Sequence, residues 1–318
     1  MIYQPGMRHF RLISVVFNTL IWGLTLSGQE TPINPISYRV YDMYVLNPAI
    51  AGSKDYFLVD GVASFQGSNK SQLITANSRI YKKSQGFFSS PASKAYTNFG
   101  IGGSIFNDVC DTSKSIGFSL GSDYHIRLNK QATSFLSVGF AVKGIYNRLY
   151  SAFPPDGSSK PQEKYLPNID LGAYYYSPAF YAGISATNLL GSDDTLGIPV
   201  KPQYFLIAGY KFILSRAQQI AVEPSIIAHT GDTLSKDIRD IFNPAIKVYI
   251  QSFCVGTYFH NYDNFSFFFQ YNFPALSVGT YFEYPKKTAF YKKELIAELT
   301  IGLNVSKLLS GNKNPLHW

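Results

Sequence analysis

The stretch Glu294-Leu295-Ile296-Ala297-Glu298-Leu299-Thr300-Ile301-Gly302-Leu303-Asn304-Val305-Ser306 decides how this chain folds. Leu295, Ala297, Leu299, Ile301, Leu303 and Val305 share one parity, while Glu294, Glu298, Thr300, Asn304 and Ser306 share the other. Successive side chains of a strand point to opposite faces, so this is a two-faced strand. The same two-beat pattern recurs in about fourteen segments between Tyr56 and Ser306, and its apolar members are unusually aromatic. Tilted strands of about 9–11 residues cross a bilayer, and an even number of them closes without an edge. The expected fold is therefore all-β, a transmembrane antiparallel β-barrel of about 14 strands with a short N-terminal plug-like segment.

Composition agrees with a lipid-facing exterior. The 318 residues include 16% aromatics but only 15% charged side chains, and mean hydropathy is −0.03. A soluble surface normally carries more charge. The formal charge of +8 comes from lysines scattered along the chain or placed in loops, as at Lys82-Lys83, Lys286-Lys287 and Lys292-Lys293. That distribution argues against a nucleic-acid stripe and points to solvated loops or to contact with the anionic headgroups of outer-membrane lipid and lipopolysaccharide. Cys110 and Cys254 form neither a disulfide framework nor a metal-ligand pair.

Met7-Arg8-His9-Phe10-Arg11, the apolar run Leu12 to Leu26 and then Ser27-Gly28 have the order of a secretory signal. The run is about fifteen residues, shorter than a spanning helix needs. The expected division is a signal peptide at 1–28, a periplasmic or plug segment at 29–55, the outer-membrane barrel at 56–306 and a C-terminal tail at 307–318. Met7 is a second candidate start. With strand one rising from the periplasm, even-numbered connections are mostly tight, as at Leu128-Asn129-Lys130 and Ser177-Pro178-Ala179. Several odd-numbered ones are long, as at Leu149 to Pro167 and Leu189 to Pro202. Short periplasmic turns against long external loops are the habit of outer-membrane barrels.

Parity also sorts the charges. Phe57, Val59, Phe65, Leu136, Val138, Phe140, Phe265, Phe267, Phe269 and Leu276 fall with the lipid-facing set. Asp60, Arg79, Asp123, Lys143, Asp170, Glu223 and Glu283 fall on the opposite parity and should face the lumen, as should Gly100, Gly102, Gly117, Gly121, Gly139, Gly172, Gly183 and Gly279. The aromatic runs Tyr174-Tyr175-Tyr176, Phe180-Tyr181, Tyr204-Phe205 and Tyr281-Phe282 read as interfacial girdles.

No catalytic constellation emerges. His125, His229 and His260 sit near strand ends, where polar loop anchoring accounts for them better than a metal or acid–base pair. No nucleophile elbow, P-loop or dinucleotide fingerprint occurs in strand–turn–helix context. The expectation is a non-enzyme without cofactor or metal.

Gln29, Pro32-Ile33, Tyr38 and Leu46-Asn47-Pro48-Ala49 with Ala51-Gly52 resemble the mature N-terminus of the PorP/SprF family of Bacteroidetes outer-membrane proteins. So do the hairpin Leu166 to Tyr176 followed by Phe180-Tyr181-Ala182-Gly183-Ile184-Ser185, and the segments Gly209-Tyr210-Lys211-Phe212 and Glu223-Pro224-Ser225. Two features depart from the family pattern. Ala63-Ser64-Phe65-Gln66 stands where Arg-x-Gln-Trp is usual, and the tail Lys307 to Trp318 replaces an aromatic-ended last strand. The resemblance implies a non-enzymatic part in type IX secretion or gliding motility, helping to export or anchor an adhesin-type cargo with a sorting domain and contacting periplasmic components. The family motif Asn47, Pro48, Ala49 and Gly52 carries over residue by residue. A channel for fatty acids or other small solutes is the alternative, motivated by the glycine-lined, charged interior.

Overall fold

The computed structural model describes residues 38–54, 56–81, 96–110, 113–129, 133–149, 162–191, 200–230, 241–260, 264–285 and 295–306. The expected signal and the tail from Lys307 lie outside the described residues. No helix among those described is long and apolar enough to cross a membrane.

Strands dominate: β1 (Leu58–Gln66), β2 (Asn69–Tyr81), β3 (Tyr96–Cys110), β4 (Ser113–Arg127), β5 (Phe135–Leu149), β6 (Gln162–Tyr176), β7 (Phe180–Thr187) and β8 (Gln203–Tyr210). They continue as β9 (Phe212–Ser215), β10 (Ile220–Thr230), β11 (Phe242–Ile250), β12 (Phe253–His260), β13 (Asn264–Asn272), β14 (Leu276–Pro285) and β15 (Ile296–Asn304). Neighbours pair antiparallel around the ring, β15 returns to β1, and β10 pairs β11, so no edge remains. Because β8 and β9 both pair β10, they are two pieces of one stave, and the barrel has 14 strands. Closure satisfies every ladder within the sheet, which hydrocarbon requires.

Buried and exposed side chains alternate clearly on β4, β5, β8 and β15. In β15, Glu298, Thr300, Gly302 and Asn304 are buried while Leu299 and Ile301 are exposed. Outside, Ile74, Phe99, Leu120, Val138, Phe140 and Phe267 form part of an apolar belt. Inside, Leu73, Phe106, Ile145, Ile207, Tyr258, Phe268 and Tyr281 join one buried cluster with Val40 and Leu46 of the N-terminal segment. The lumen is thus filled with side chains across much of its section.

Three expectations need correction. The girdle reading fails for most of its aromatics: Tyr174, Tyr176, Tyr181, Phe205 and Tyr281 share the inward parity, and only Tyr175, Phe180, Tyr204 and Phe282 are left for the outside. Tyr281 is fully buried, its hydroxyl 3.1 Å from Glu283 Oε2 and 2.5 Å from Ser266 Oγ. Adjacent strand residues cannot both face lipid. Next, β6 begins at Gln162 rather than near Asn168, because Pro167 sits opposite Gly144 on the exposed face and forfeits only one ladder bond. Finally, the single strand that alternation predicts over 203–214, after the connection ending at Pro202, breaks at Lys211. Its backbone N–H turns to the Ala179 carbonyl at 2.7 Å, and the β9–β10 register slips between Ile220 and Ala221. That bulge leaves Phe212, Ile213 and Leu214 exposed in succession.

The hairpin between β1 and β2 is a two-residue turn in which Gly67 has φ +58. A side chain there would occupy the left-handed region. Gly67→Ala is expected to cost about 1 kcal/mol, read as a lower urea midpoint for unfolding in detergent micelles; an unchanged midpoint would contradict the turn assignment.

Candidate functional site

Residues 38–54 lie against the inner wall at the end of the barrel where most turns are short. They form one helical turn, α1 (Tyr38–Tyr41), followed by 3-10 turns at Met43–Val45 and Pro48–Ile50. Both 3-10 turns are capped by side chains, as short polar residues preceding a helical turn commonly do. Asp42 Oδ1 accepts the Tyr44 N–H at 3.2 Å, and Asn47 Oδ1 accepts the Ala49 N–H at 3.0 Å. Pro48 takes the first position of its turn, where its missing N–H costs nothing.

The same side chains tie the segment to the wall. Asn47 Nδ2 donates to the carbonyls of Ala173 at 3.1 Å and Ile184 at 3.2 Å, bridging β6 and β7. Ser137 donates to the Ala49 carbonyl and Ser185 to the Leu46 carbonyl, each at 2.6 Å. The Gly52 N–H donates to Asp123 Oδ2 at 3.2 Å, and the Thr75 hydroxyl donates to Asp42 Oδ2 at 2.6 Å. Asn47, Ala49 and Ala51 are fully buried.

Glycines make this approach possible. A Cβ on Gly139 would stand 2.7 Å from the Ala49 backbone, and one on Gly102 would stand 2.6 Å from the Tyr44 ring. On Gly172 it would collide with the Asn47 side chain, and on Gly100 with Gly52 and Asp123. Each residue of the Asn47-Pro48-Ala49 motif and Gly52 therefore has a contact on the wall. Burial also pushes the Tyr44 phenol well above its ordinary pKa, so it stays neutral beside Asp42.

The lumen-facing charges fall into separate groups. Lys143 Nζ meets Asp170 Oδ2 at 2.5 Å, and Asp170 Oδ1 accepts the Asn188 N–H at 2.9 Å. His125 Nε2 lies 3.1 Å from Asp123 Oδ2, its Nδ1 lies 3.0 Å from the Tyr176 hydroxyl, and Arg79 reaches that same hydroxyl while lying over the Phe135 ring. Glu283 accepts from Ser266 and Tyr281. Asp60 stands opposite Gly302 across β1 and β15. His229 stacks on Phe205 with ring centroids 4.8 Å apart. Cys110 and Cys254 do not form a disulfide.

Glu223 is the most heavily engaged acid. Its carboxylate takes Lys247 Nζ at 3.0 Å, the Tyr181 hydroxyl at 2.9 Å and the Tyr249 hydroxyl at 3.2 Å, with Lys211 Nζ at 3.7 Å. Lys211 also lies over the Tyr249 ring, 5.1 Å from its centroid. Sequence reading singled out Glu223 but missed Lys211, Lys247, Tyr181 and Tyr249, all of which the same parity rule turns inward.

A family model described as "Type IX secretion system membrane protein PorP/SprF" matches residues 34–303. The chain belongs to the PorP/SprF family. The family description supplies a type IX secretion membrane protein, and the closed sheet with its apolar belt makes that protein a β-barrel of the outer-membrane kind. Among solved structures, the NanC porin is similar at 8% identity and TM-score 0.37, covering 78% of this chain and 98% of that one. The KdgM porin in complex with disordered oligogalacturonate is similar at 8% identity and TM-score 0.35, covering 77% and 98%. CdiB from Acinetobacter baumannii is similar at 9% identity and TM-score 0.41, covering 78% of this chain and 59% of that one. No match was found among curated proteins.

Proposed function

We propose that this PorP/SprF barrel is a non-enzymatic docking element of the type IX secretion or gliding apparatus. It helps export or anchor an adhesin-type cargo bearing a sorting domain, and it meets periplasmic components at its short-turn end. The observation that carries this reading is how the family motif is used. Asn47, Pro48, Ala49 and Gly52 seat the inner segment over wall glycines, and the buried apolar cluster continues across the lumen. A filled interior supports docking over solute transport, since a conduit requires a continuous wet path. In the same proposal, residues 1–28 are an export signal, 29–55 the inner segment, 56–306 the barrel and 307–318 a tail; the intact mass of the membrane form checks the first boundary.

The test is affinity capture of the tagged protein from native membranes, paired with planar-bilayer recording of the purified barrel. Type IX components or sorting-domain cargo should be recovered and conductance should be flat. Recovery of neither, together with steady open-channel current, would favour the small-solute channel instead.

A further inference from the structure

A cavity of about 380 Å³ lies between the inner segment and the wall formed by β6, β7, β10 and β11. Ser177, in the turn joining β6 to β7, lines it, so it belongs to the short-turn mouth. Its volume is at the small end of the range for ligand pockets, enough for a small molecule or the last residues of a chain and too little for a folded domain.

Two features define its chemistry. Tyr56, Tyr174, Tyr176, Tyr181 and Tyr249 line it, and Met43 and Ile50 add apolar surface from the inner segment. Tyr174 stacks with Tyr176 at a centroid distance of 5.7 Å and leans on Tyr181 at 6.1 Å, so the rings are held as a wall. Such faces accept planar or apolar groups, while the Tyr176, Tyr181 and Tyr249 hydroxyls are already engaged with the wall.

The charges are unbalanced. Among the lining side chains, Lys54, Lys211 and Lys247 face Asp42 and Glu223, one more cation than anion, and Asp60 acts on Lys54 from outside the lining. Glu223 is committed to Lys247, Lys211 and two tyrosines, and Asp42 to Thr75 and the Tyr44 amide. No ion pair claims Lys54 among the described residues. Its side chain is exposed, on the inner segment immediately before the barrel begins.

We propose that this cavity binds a single carboxylate carried on an aromatic or apolar stem, with Lys54 receiving the carboxylate and the tyrosines receiving the stem. One excess cation matches one carboxylate. A phosphate dianion would call for more positive charge, and Arg forks are the usual way to supply it. The carboxylate could belong to a free aromatic acid or to the C-terminal residue of a peptide, since both present the same group. The site does not depend on which cargo the barrel serves, and its test uses no secretion component.

The experiment is calorimetric titration of the full mature chain in detergent micelles with N-acetylphenylalanine, its amide, and a short peptide ending in phenylalanine with a free carboxylate. Saturable binding of the acid is expected, with the amide at least about tenfold weaker, equivalent to about 1.4 kcal/mol for one charge-assisted contact. Lys54→Gln should abolish the preference for acid over amide, whereas Tyr56→Ala should weaken both ligands alike and leave the ratio intact. Tighter binding of the peptide than of the acid assigns the site to a chain terminus; equal binding assigns it to a free acid. Absence of saturable binding by every ligand, equal binding of acid and amide, or survival of the preference in Lys54→Gln overturns the proposal. Heat-modifiable migration of each variant on gels confirms that the barrel has formed.

Discussion

Glu223→Leu is expected to lower the unfolding free energy of the barrel by about 3–5 kcal/mol, because it strands a buried cation. Lys247 is 6% exposed and depends on Glu223 for its counter-charge at 3.0 Å. The Tyr181 and Tyr249 hydroxyls lose the same acceptor. Lys211, at 3.7 Å, is less exacting, since its side chain retains 22% exposure and can swing toward water. Glu223→Gln keeps an acceptor for the tyrosines while losing the charge, and should fall between wild type and leucine. The double variant Glu223→Leu with Lys247→Met should recover most of the loss, because a buried ion pair is often no better than well-packed apolar side chains. Urea unfolding in micelles, followed by tyrosine fluorescence, measures all four proteins. A single variant within about 1 kcal/mol of wild type, or a double variant no better than the single, would show that the pair is effectively solvated.

Alternation made the barrel legible because the two solvents of each stave differ so strongly. Glu298, Thr300 and Asn304 could only be on the side away from lipid, and they are buried there. The same rule placed Lys143, Asp170 and Glu223 inside but could not say which charges meet. Asp170 pairs in register with Ala141, and Lys143 with Asn168, so their contact is diagonal. That offset depends on a register which the long connection at 150–161 does not fix. Tyr174 and Tyr176 were misplaced for a different reason. Aromatic clustering suggested a girdle, yet alternation already limited a three-residue run to one face per neighbour. The inner segment was visible only in part. Proline and glycine punctuated it, and the glycines of the inner wall hinted at a close approach, but Ser137 and Ser185 are ordinary small polar residues with nothing to mark them as its anchors.

The second large effect tests that close approach directly. Gly139 and Gly172 face each other across β5 and β6, so valine at both would raise a ridge beneath Pro48 and Ala49. The wall itself should not suffer, since valine favours strands and interior glycine weakens them. The seated segment is another matter. The Gly139 Cβ meets backbone at 2.7 Å and cannot be avoided by rotating a side chain, while the Gly172 Cβ takes the place of the Asn47 amide oxygen that caps the Ala49 N–H. Two such overpacked contacts cost about 2–6 kcal/mol together. Among the described residues, six hydrogen bonds that involve a side chain join the segment to the wall, each contributing about 0.5–1.5 kcal/mol, so the two sums are comparable. Release from the seat should therefore become at least about 30-fold more frequent. Trypsin reports it: Lys54 lies in the mouth of the wild-type barrel, where a folded protease cannot follow, and becomes cleavable once the segment swings out. Gly139→Ala alone should give a smaller acceleration, because one methyl group asks less of the backbone opposite. If the valine pair leaves cleavage at Lys54 as slow as in wild type while the barrel stays folded, the segment is not held by the glycine floor, and the mouth must be closed by something other than its fit.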